Sequence, residues 1–401
     1  MNLRILLLLG ALSAFGPLAI DFYLPTFPAL ALAFATDVER VQLTLAVYFV
    51  GLAGGQLIYG PLADRFGRRR PLIFGVLLFS VASVLCSLAS NLEWLIAGRF
   101  LQALGGCAGM VIARAVVRDL CDPLASAKVF SQLMLVMGLA PILAPLAGGL
   151  LLSQFGWQSI FVCLALFSAC CALAVACWLP ETHRPSVPPR SLRAAPLQYW
   201  RLLQDHQFIG HALTGGLVMA GMFAYIAGSP FVFIQLYGVP AHSYGWLFGA
   251  NAAGFILMAQ VNSWLLRRHA PGVLLPRVVW VYLLSALSLL TVSLLQPAML
   301  WPLLVPLFVL VASLGCLLPN ASACAMAGHG AQAGSASAML GFTQFALAAG
   351  ASGLVGLLHD GSAQPMATVI SLCAVLAFIC ALATARLQTL ALRRAGPAGG
   401  V

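Results

Sequence analysis

The stretch GPLADRFGRRRP, residues 60–71, is a short and strongly basic segment between two long apolar runs. A helix needs about 20 apolar residues to cross a bilayer, and the flanking runs 42–62 and 71–90 each supply that length. Short loops rich in arginine face the cytoplasm in membrane proteins. The stretch therefore predicts a hairpin of two membrane helices with its turn on the cytoplasmic side.

The composition extends this interpretation to the whole chain. Hydrophobic residues make up 62% of the 401 residues and charged residues only 7%, against about 45–50% and 25% in soluble domains. We predict a polytopic membrane protein with no soluble domain of useful size. The predicted spans are twelve: 5–28, 42–62, 71–90, 93–116, 128–152, 157–179, 207–236, 244–266, 276–296, 299–319, 332–358 and 366–386.

The net charge of +10 is distributed unequally between the two sides of the predicted membrane. The loops opposite to the 60–71 loop hold only Arg40 as a basic residue. This asymmetry predicts that both termini are cytoplasmic, and it accounts for the positive charge without nucleic-acid binding. The basic residues of the predicted cytoplasmic side include Arg65, Arg68, Arg69, Arg70, Arg118, Lys128, Arg184, Arg190, Arg193, Arg201, Arg267, Arg268, Arg277, Arg386, Arg393 and Arg394.

The N-terminal residues also imitate a signal peptide, with Arg4, the apolar run 5–10 and the small-residue stretch Ala11–Ser13 in sequence. Cleavage there would destroy the first span and leave an odd number of spans. It would also place the new N-terminus on the side opposite to the one that the arginine pattern indicates. We therefore expect these residues to remain in the first span.

One long polar break, rich in proline and arginine, divides the predicted spans six and six. We expect an N-terminal six-helix bundle at 1–180, a cytoplasmic linker at 181–206 and a C-terminal six-helix bundle at 207–401. A faint internal repeat relates Gly51–Arg65 to Gly254–Arg268. The predicted fold class is an all-α membrane protein, with twelve transmembrane helices in two pseudo-symmetric bundles and a binding site between them.

Two charges fall deep inside predicted spans, away from their ends. Asp21 lies in PLAIDFYLP, residues 17–25, and Pro25 lacks the N–H that would bond the Asp21 carbonyl. Arg99 follows Glu93 by six residues, about 9 Å into the membrane and at a depth similar to that of Asp21. A charge at this depth should face a cavity or a partner. A proton-linked site and a purely structural ion pair both remain open at this point.

The basic loop resembles the signature of the major facilitator superfamily, Gly-x-Leu-Ala-Asp-Arg-x-Gly-Arg-Arg/Lys. Other stretches resemble the Bcr/CflA group of drug:proton antiporters within that superfamily. Ala144 departs from the helix-5 antiporter motif, which usually has Gly before the second proline. The stretches that carry the narrower resemblance are DFYLP at 21–25, RFLQALG at 99–105, RAVVRD at 114–119 and PILAPLAGG at 141–149.

The resemblance implies roles for several of these residues. For Asp21 and Arg99 the hypothesis comes from their opposite charges at one depth: Asp21 is the proton-linked acid, and Arg99 senses its charge or relays it. The residues of the basic loop are expected to latch the two halves through the start of span 11, near Gly334 and Ser335. The alternative is that they only mark the topology. These loop residues are Gly60, Asp64, Arg65, Gly67 and Arg68. We assign to the inner vestibule or the membrane interface the residues Arg114, Arg118 and Asp119. The antiporter motif of helix 5 comprises Gly138, Pro141, Pro145, Gly148 and Gly149, and the alternative for this motif is simple close helix packing.

A cavity between the bundles should hold aromatic and polar side chains, which would accept varied amphipathic ligands. The eleven cysteines lie mostly within spans and have no zinc-site spacing, so we expect no metal and no cofactor. No phosphate-loop or catalytic-triad pattern is visible, which disfavours ATP-driven transport and enzymatic hydrolysis. The cavity candidates are Tyr48, Gln56, Gln102, Phe223, Tyr225, Phe231, Phe233, Asn251, Phe255, Gln344 and Phe345.

Together with these observations, the resemblance implies a monomeric bacterial inner-membrane transporter that exports drug-like or amphipathic small molecules in exchange for protons. Its expected partners are the small-molecule substrate, protons and the lipid bilayer. Three alternatives remain: an exporter of sugars or metabolites with the same fold, a facilitator without proton coupling, and a membrane receptor or sensor. The absence of a recognisable signalling domain argues against the receptor.

Overall fold

The computed structural model describes residues 2–121, 123–182, 195–329 and 333–394, and within these ranges the chain is helical with no β-strand. A helix lies at the position of every predicted span. The helices are α1 Leu3–Ser13, α2 Phe15–Asp21, α3 Phe27–Ala33, α4 Val38–Phe66, α5 Arg69–Ser87, α6 Leu92–Leu120, α7 Pro123–Phe155, α8 Gln158–Trp178, α9 Ala195–Gln204, α10 His206–Pro230, α11 Ala241–Leu265, α12 Pro271–Leu294, α13 Trp301–Met326, α14 Ala333–Leu357 and α15 Gln364–Arg394.

The first span is broken into three helices rather than kinked once. Helix α2 ends at Asp21, a 3₁₀ turn follows at Leu24–Thr26, and α3 continues to Ala33. Pro25 explains the break at Asp21, because a proline four residues on leaves the Asp21 carbonyl without its helical partner. The span therefore extends beyond residue 28, where the hydropathy pattern placed its end.

Ten stretches of the described residues are long and apolar enough to cross a membrane. Helix α11 is not among them because its face carries Ser, Asn, Gly and Gln, which suit a helix buried between bundles. We call the end of the molecule that carries Gly67 and α9 the linker end, and the opposite end, which carries Glu39 and His359, the far end. Exposed tryptophans mark both ends, as in the aromatic belts of membrane proteins.

The two bundles meet along two pairs of long helices. Helix α14 packs along α4, where a Cβ built on Gly341 would stand 2.6 Å from Gln56 Oε1. Helix α11 packs along α7, where a Cβ on Gly245 would stand 2.6 Å from Leu146 Cδ2. Glycine permits both close approaches, which a larger residue would prevent.

The weak repeat in the sequence corresponds to equivalent packing in the two bundles. Gly51 of α4 leaves room for Ala103 of α6, since an added Cβ would stand 2.7 Å from the Ala103 Cβ. Gly254 of α11 leaves room for Phe308 of α13 at the same hypothetical distance of 2.7 Å. The second helix of each bundle therefore packs on the fourth through the repeated glycine.

Candidate functional site between the bundles

Asp21 lies at the seam between the two bundles, and only 4% of its surface is exposed. The turn that follows it, Leu24–Thr26, contacts α10 and α11 of the second bundle, and Tyr225 and Tyr244 on those helices lie in the neighbourhood of Asp21. Within the part of the chain that the structure describes, no hydrogen bond or ion pair reaches this carboxyl group. The carbonyl of Phe22, the next residue, lies against Gly148 of α7, where no side chain would fit.

Aromatic side chains of the second bundle near Asp21 form an aromatic wall, and their hydroxyl groups are hydrogen-bonded. Asn251 Nδ2 donates to the Tyr225 hydroxyl at 3.0 Å, and the hydroxyls of Ser229 and Tyr244 are 2.7 Å apart. The ring of Phe248 stacks on Tyr225 with centroids 5.6 Å apart. Because this wall belongs to the second bundle, rocking of the bundles would change the surroundings of Asp21.

Arg99 is fully buried, with no exposed surface, and is held by aromatic faces rather than by a carboxylate. Its guanidinium carbon lies 4.5 Å from the Tyr23 ring centroid and 4.2 Å from that of Tyr48. Its Nη1 donates to Gln102 Oε1 at 2.6 Å, and Gln102 Nε2 donates to Ser83 Oγ at 2.7 Å. Cation–π contacts of this kind stabilise a desolvated guanidinium.

The structure therefore does not join Asp21 and Arg99 in an ion pair. Tyr23, two residues after Asp21, connects the two environments, since its ring covers Arg99 and its hydroxyl meets Thr44 Oγ1 at 2.7 Å. A change in the charge of Asp21 would have to reach Arg99 through this short segment.

Three phenylalanines close the middle of the seam. The rings of Phe49 and Phe223 have centroids 4.2 Å apart, and Phe345 stacks on Phe49 at 6.5 Å. They come from α4, α10 and α14, so the cluster joins the two bundles. Its apolar surface resembles the lining of ligand pockets that accept varied amphipathic molecules.

At the far end, Glu39 Oε1 lies 2.7 Å from Nε2 of His359, a contact between the two bundles. The ring of Phe231 meets the His359 ring edge to face, with centroids 4.4 Å apart. The exposed pair of Arg40 and Glu93, at 3.1 Å, lies within the first bundle.

At the linker end, Arg68 joins two carboxylates. Its Nη1 lies 2.5 Å from Asp64 Oδ1 and its Nε lies 2.8 Å from Asp119 Oδ2. Burial alone would lower the pKa of Arg68, but the bonds to Asp119 and Asp64 outweigh it and raise the pKa above its ordinary value. Thr182 Oγ1 also donates to Asp119, at 3.2 Å. The network keeps α4, α5 and α6 in a fixed arrangement.

Glu181 completes this network, and it was not among the site residues predicted from the sequence. Its carboxylate accepts the backbone N–H groups of Arg68 at 2.7 Å and Arg69 at 3.2 Å, at the start of α5. A carboxylate is favoured at a helix N-terminus. Arg69 also donates to the carbonyl of Ala176, which Pro180 leaves without its helical donor. The only signal in the sequence was the acidic residue directly after Pro180.

Among the described residues, no hydrogen bond or ion pair joins Asp64 to the start of α14 at residues 333–335, and the expected latch stays a prediction. Asp64 bonds Arg68 instead, and Ser335 Oγ donates to Gln198 Oε1 of α9 at 2.7 Å. Gly60 has open space around it, and Arg65 lies over the Phe66 ring at 5.3 Å.

The remaining predicted site residues are dispersed. Gln56 is buried against α14 and Gln344 is half-buried on that helix, while Arg114 is exposed. Pro145 and Gly149 are buried in α7. The side chains outside the described part of the structure are those of Arg118, Gly138 and Pro141.

Comparisons with known proteins agree with this architecture. The family model described as Major Facilitator Superfamily matches residues 7–353. An uncharacterized MFS-type transporter, YdgK of Bacillus subtilis, is 37% identical over 383 residues, covering 94% of each chain. The bicyclomycin resistance protein homolog of Haemophilus influenzae is 30% identical over 376 residues, covering 93% of this chain and 94% of its own. The multidrug resistance protein MdtL of Escherichia coli is 31% identical over 278 residues, or 69% of each chain.

Two solved structures share the fold at low sequence identity. A peptide transporter in complex with alafosfalin superposes with a TM-score of 0.73 at 15% identity, covering 96% of this chain and 93% of its own. A D-xylose-proton symporter superposes with a TM-score of 0.70, also at 15% identity, covering 95% of this chain and 96% of its own. At this identity the likeness supports the arrangement of helices and nothing finer.

Proposed function

The chain belongs to the major facilitator superfamily, and from this premise we propose that it is a proton-coupled antiporter that exports drug-like or amphipathic small molecules. The names of two relatives, a bicyclomycin resistance protein homolog and a multidrug resistance protein, support this class of cargo. The single observation that carries the proposal is the position of Asp21, a buried carboxyl group beside the turn that contacts the opposite bundle.

In the proposed cycle, Asp21 takes up a proton when the site opens to the outside and releases it when substrate binds from the inside. The bundles rock about the central site, as in other transporters built from repeats. Coupling requires that the proton and the substrate bind the two states unequally. The aromatic wall supplies that inequality, because Tyr225 and Tyr244 would move away from Asp21 as the bundles separate.

The proposed cargo site lies around Phe49, Phe223 and Phe345, with Tyr225 and Asn251 as polar contacts. The phenylalanines offer apolar contact with no fixed direction, and the two polar side chains orient a ligand. This combination favours amphipathic molecules over sugars, which would need many more hydrogen-bonding groups. A sugar or metabolite exporter is therefore the second candidate.

We further propose that the protein is a monomer in the bacterial inner membrane, with the linker end and both termini in the cytoplasm. The arginine distribution supports this orientation. The proposed division is 1–180 for the first bundle, 181–206 for the linker and 207–401 for the second bundle.

Transport by purified protein in vesicles with an imposed pH gradient tests the function. We expect gradient-driven uptake of a cationic dye by the wild type and its loss in Asp21→Asn. The control is Glu93→Gln, which removes an exposed carboxylate near the far end and should transport normally. Unchanged exchange in Asp21→Asn would remove Asp21 from the coupling role. Uptake that persists after the gradient collapses would indicate a facilitator, and uptake of metabolites alone would favour the second candidate.

A further inference from the structure

Helix α9, Ala195–Gln204, lies within the linker and presents two different faces. Leu197, Trp200 and Leu203 follow one another at intervals of three and are 54%, 59% and 43% exposed. Residues three apart lie on the same side of a helix. The opposite face holds Tyr199, half-buried, and Leu202, 2% exposed.

The inner face binds both bundles. The Tyr199 hydroxyl donates to the carbonyl of Leu57 in α4 at 3.2 Å. This carbonyl is available because Pro61, four residues later, has no N–H to bond it. Gln198 Oε1 accepts from Ser335 of α14 at 2.7 Å. Helix α9 is thereby held in one orientation, with its exposed apolar face directed away from the protein.

The aromatic side chains at the linker end indicate what covers this face. Trp178 and Trp264 end α8 and α11 at this end and are 48% and 54% exposed, like Trp200. Arg268 lies over the Trp264 ring at 5.4 Å. Tryptophans at one end of a helical bundle mark the level of the lipid headgroups. Trp200 is a third exposed tryptophan at this end of the molecule, as expected for a side chain at the headgroup level.

The charge of the linker indicates the type of lipid. The sequence from Thr182 to Gln204 contains four arginines and no acidic residue. Arg201 lies on α9 beside the exposed apolar face and is itself exposed. Helix α9 itself carries one of these arginines, and the other three precede it in the sequence, outside the described residues. Basic residues next to an amphipathic helix attract anionic headgroups, and the apolar side chains of such a helix enter the headgroup and acyl boundary. The arginines of the linker are Arg184, Arg190, Arg193 and Arg201.

We propose that α9 is an interfacial helix whose outer face binds the anionic lipid surface of the cytoplasmic leaflet. This inference rests on the proposed orientation of the linker end. Since Tyr199 and Gln198 tie α9 to α4 and α14, the two helices that line the seam, lipid binding to α9 biases how the bundles move. Anionic lipid is thus a regulator of transport that does not enter the central site.

Fluorescence quenching locates the helix without requiring transport. The wild type and Trp200→Phe are placed in nanodiscs of phosphatidylcholine with phosphatidylglycerol, and lipid brominated near the headgroup serves as quencher. The difference between the two signals reports Trp200, and we expect the brominated lipid to quench it and aqueous iodide to leave it almost unchanged. Iodide quenching without lipid quenching would overturn the proposal, as would protection from both, which would mean that protein covers this face.

Transport in two lipid compositions tests the regulation. We expect the wild type to transport several-fold faster with phosphatidylglycerol present than in phosphatidylcholine alone. This ratio should fall towards one in the double variant Trp200→Ser/Arg201→Gln, whose rate in phosphatidylcholine should equal that of the wild type. The matched control is Trp246→Ser, since Trp246 is 71% exposed at the far end. An unchanged ratio in the double variant overturns the regulatory role.

The two experiments separate this inference from the proposed function. If no variant transports in any lipid, the antiporter proposal fails, while quenching still decides whether α9 lies at the membrane surface. If transport occurs but iodide reaches Trp200, the lipid surface is wrong and the antiporter proposal stands.

Discussion

The carboxylate of Glu39 lies 2.7 Å from Nε2 of His359, and this pair joins α4 to the end of α14 across the seam. Both side chains are about one-fifth exposed, so water screens the pair only in part. The pair carries its full charge only while His359 is protonated. Around it lie Phe231, which packs on the imidazole, and Asp360, which bonds Ser362 instead. The far end of the seam therefore contains a contact that opening must break.

We predict that His359→Gln loosens the far end. A partly exposed ion pair contributes about 0.2–1 kcal/mol, so local opening should become up to about fivefold more frequent. Hydrogen exchange of the peptides that contain the start of α4 and the end of α14 measures this directly. Glu93→Gln removes the exposed Arg40–Glu93 pair within the first bundle and should leave the peptide at the end of α14 unchanged. Equal exchange in His359→Gln and the wild type would contradict a role in closure.

Replacement of Arg99 by lysine should destabilise the first bundle. Lysine lacks the planar guanidinium that lies between Tyr23 and Tyr48 and bonds Gln102. A desolvated cation–π contact contributes about 2 kcal/mol or more. We expect a lower thermal unfolding midpoint in detergent for Arg99→Lys, and no change for the exposed Arg40→Lys. An unchanged midpoint would mean that the aromatic faces do not hold the charge.

Gly67→Ala should disrupt the network at the linker end. Gly67 has φ of 84° and ψ of 172°, a conformation that side chains disfavour by about 1–3 kcal/mol. An added Cβ would also collide with the Glu181 carboxylate that bonds the start of α5. We expect a lower unfolding midpoint and reduced transport. Gly60→Ala is the matched control for the unfolding midpoint, because nothing lies within 4 Å of its added Cβ.

A double-mutant cycle tests whether Tyr199 satisfies the carbonyl that Pro61 leaves free. Tyr199→Phe should cost about 0.5–1.5 kcal/mol, the usual net value of a hydrogen bond. In a Pro61→Ala background the helix supplies its own N–H to Leu57, so the same change should cost much less. Chemical unfolding of the four proteins gives the coupling energy. Equal costs in both backgrounds would show that the tyrosine acts by packing alone.

Acid should weaken the start of α10 through Asp205. Burial raises the pKa of Asp205, but the backbone N–H groups of Phe208 and Gln207 and the neighbouring His329 outweigh it, and the pKa lies below its ordinary value. A lowered pKa in the folded state gives stability that is present above the unfolded value, about 4, and is lost as pH falls through the folded value. The wild type should therefore exceed Asp205→Asn in unfolding midpoint at pH 6, and the difference should shrink below about pH 4. A difference that does not change with pH would contradict this assignment.

Hydropathy and charge were sufficient to predict the class of fold. The apolar runs located a helix at every predicted span, and the superfamily suggested by residues 60–71 is the one to which the chain belongs. The membrane spans and the loop motif can be predicted from the sequence because each depends on residues that are close together in the chain. The structure of the linker was predicted less completely. Its prolines indicated a break between the bundles, but helix α9 was not predicted, although its apolar residues have helical spacing.

The contacts of the site depended on tertiary structure. The similar depth of Asp21 and Arg99 along their helices suggested that the two could meet, yet the structure shows no ion pair between them, and Arg99 is enclosed between tyrosines. Glu181 bonds Arg68 across 113 positions of sequence, and His359 reaches Glu39 from the opposite bundle. The sequence by itself determined which segments enter the membrane, since transfer into lipid is a sum over local residues. Only the tertiary structure decided which buried polar groups meet, because that depends on how helices from distant parts of the chain rotate and pack.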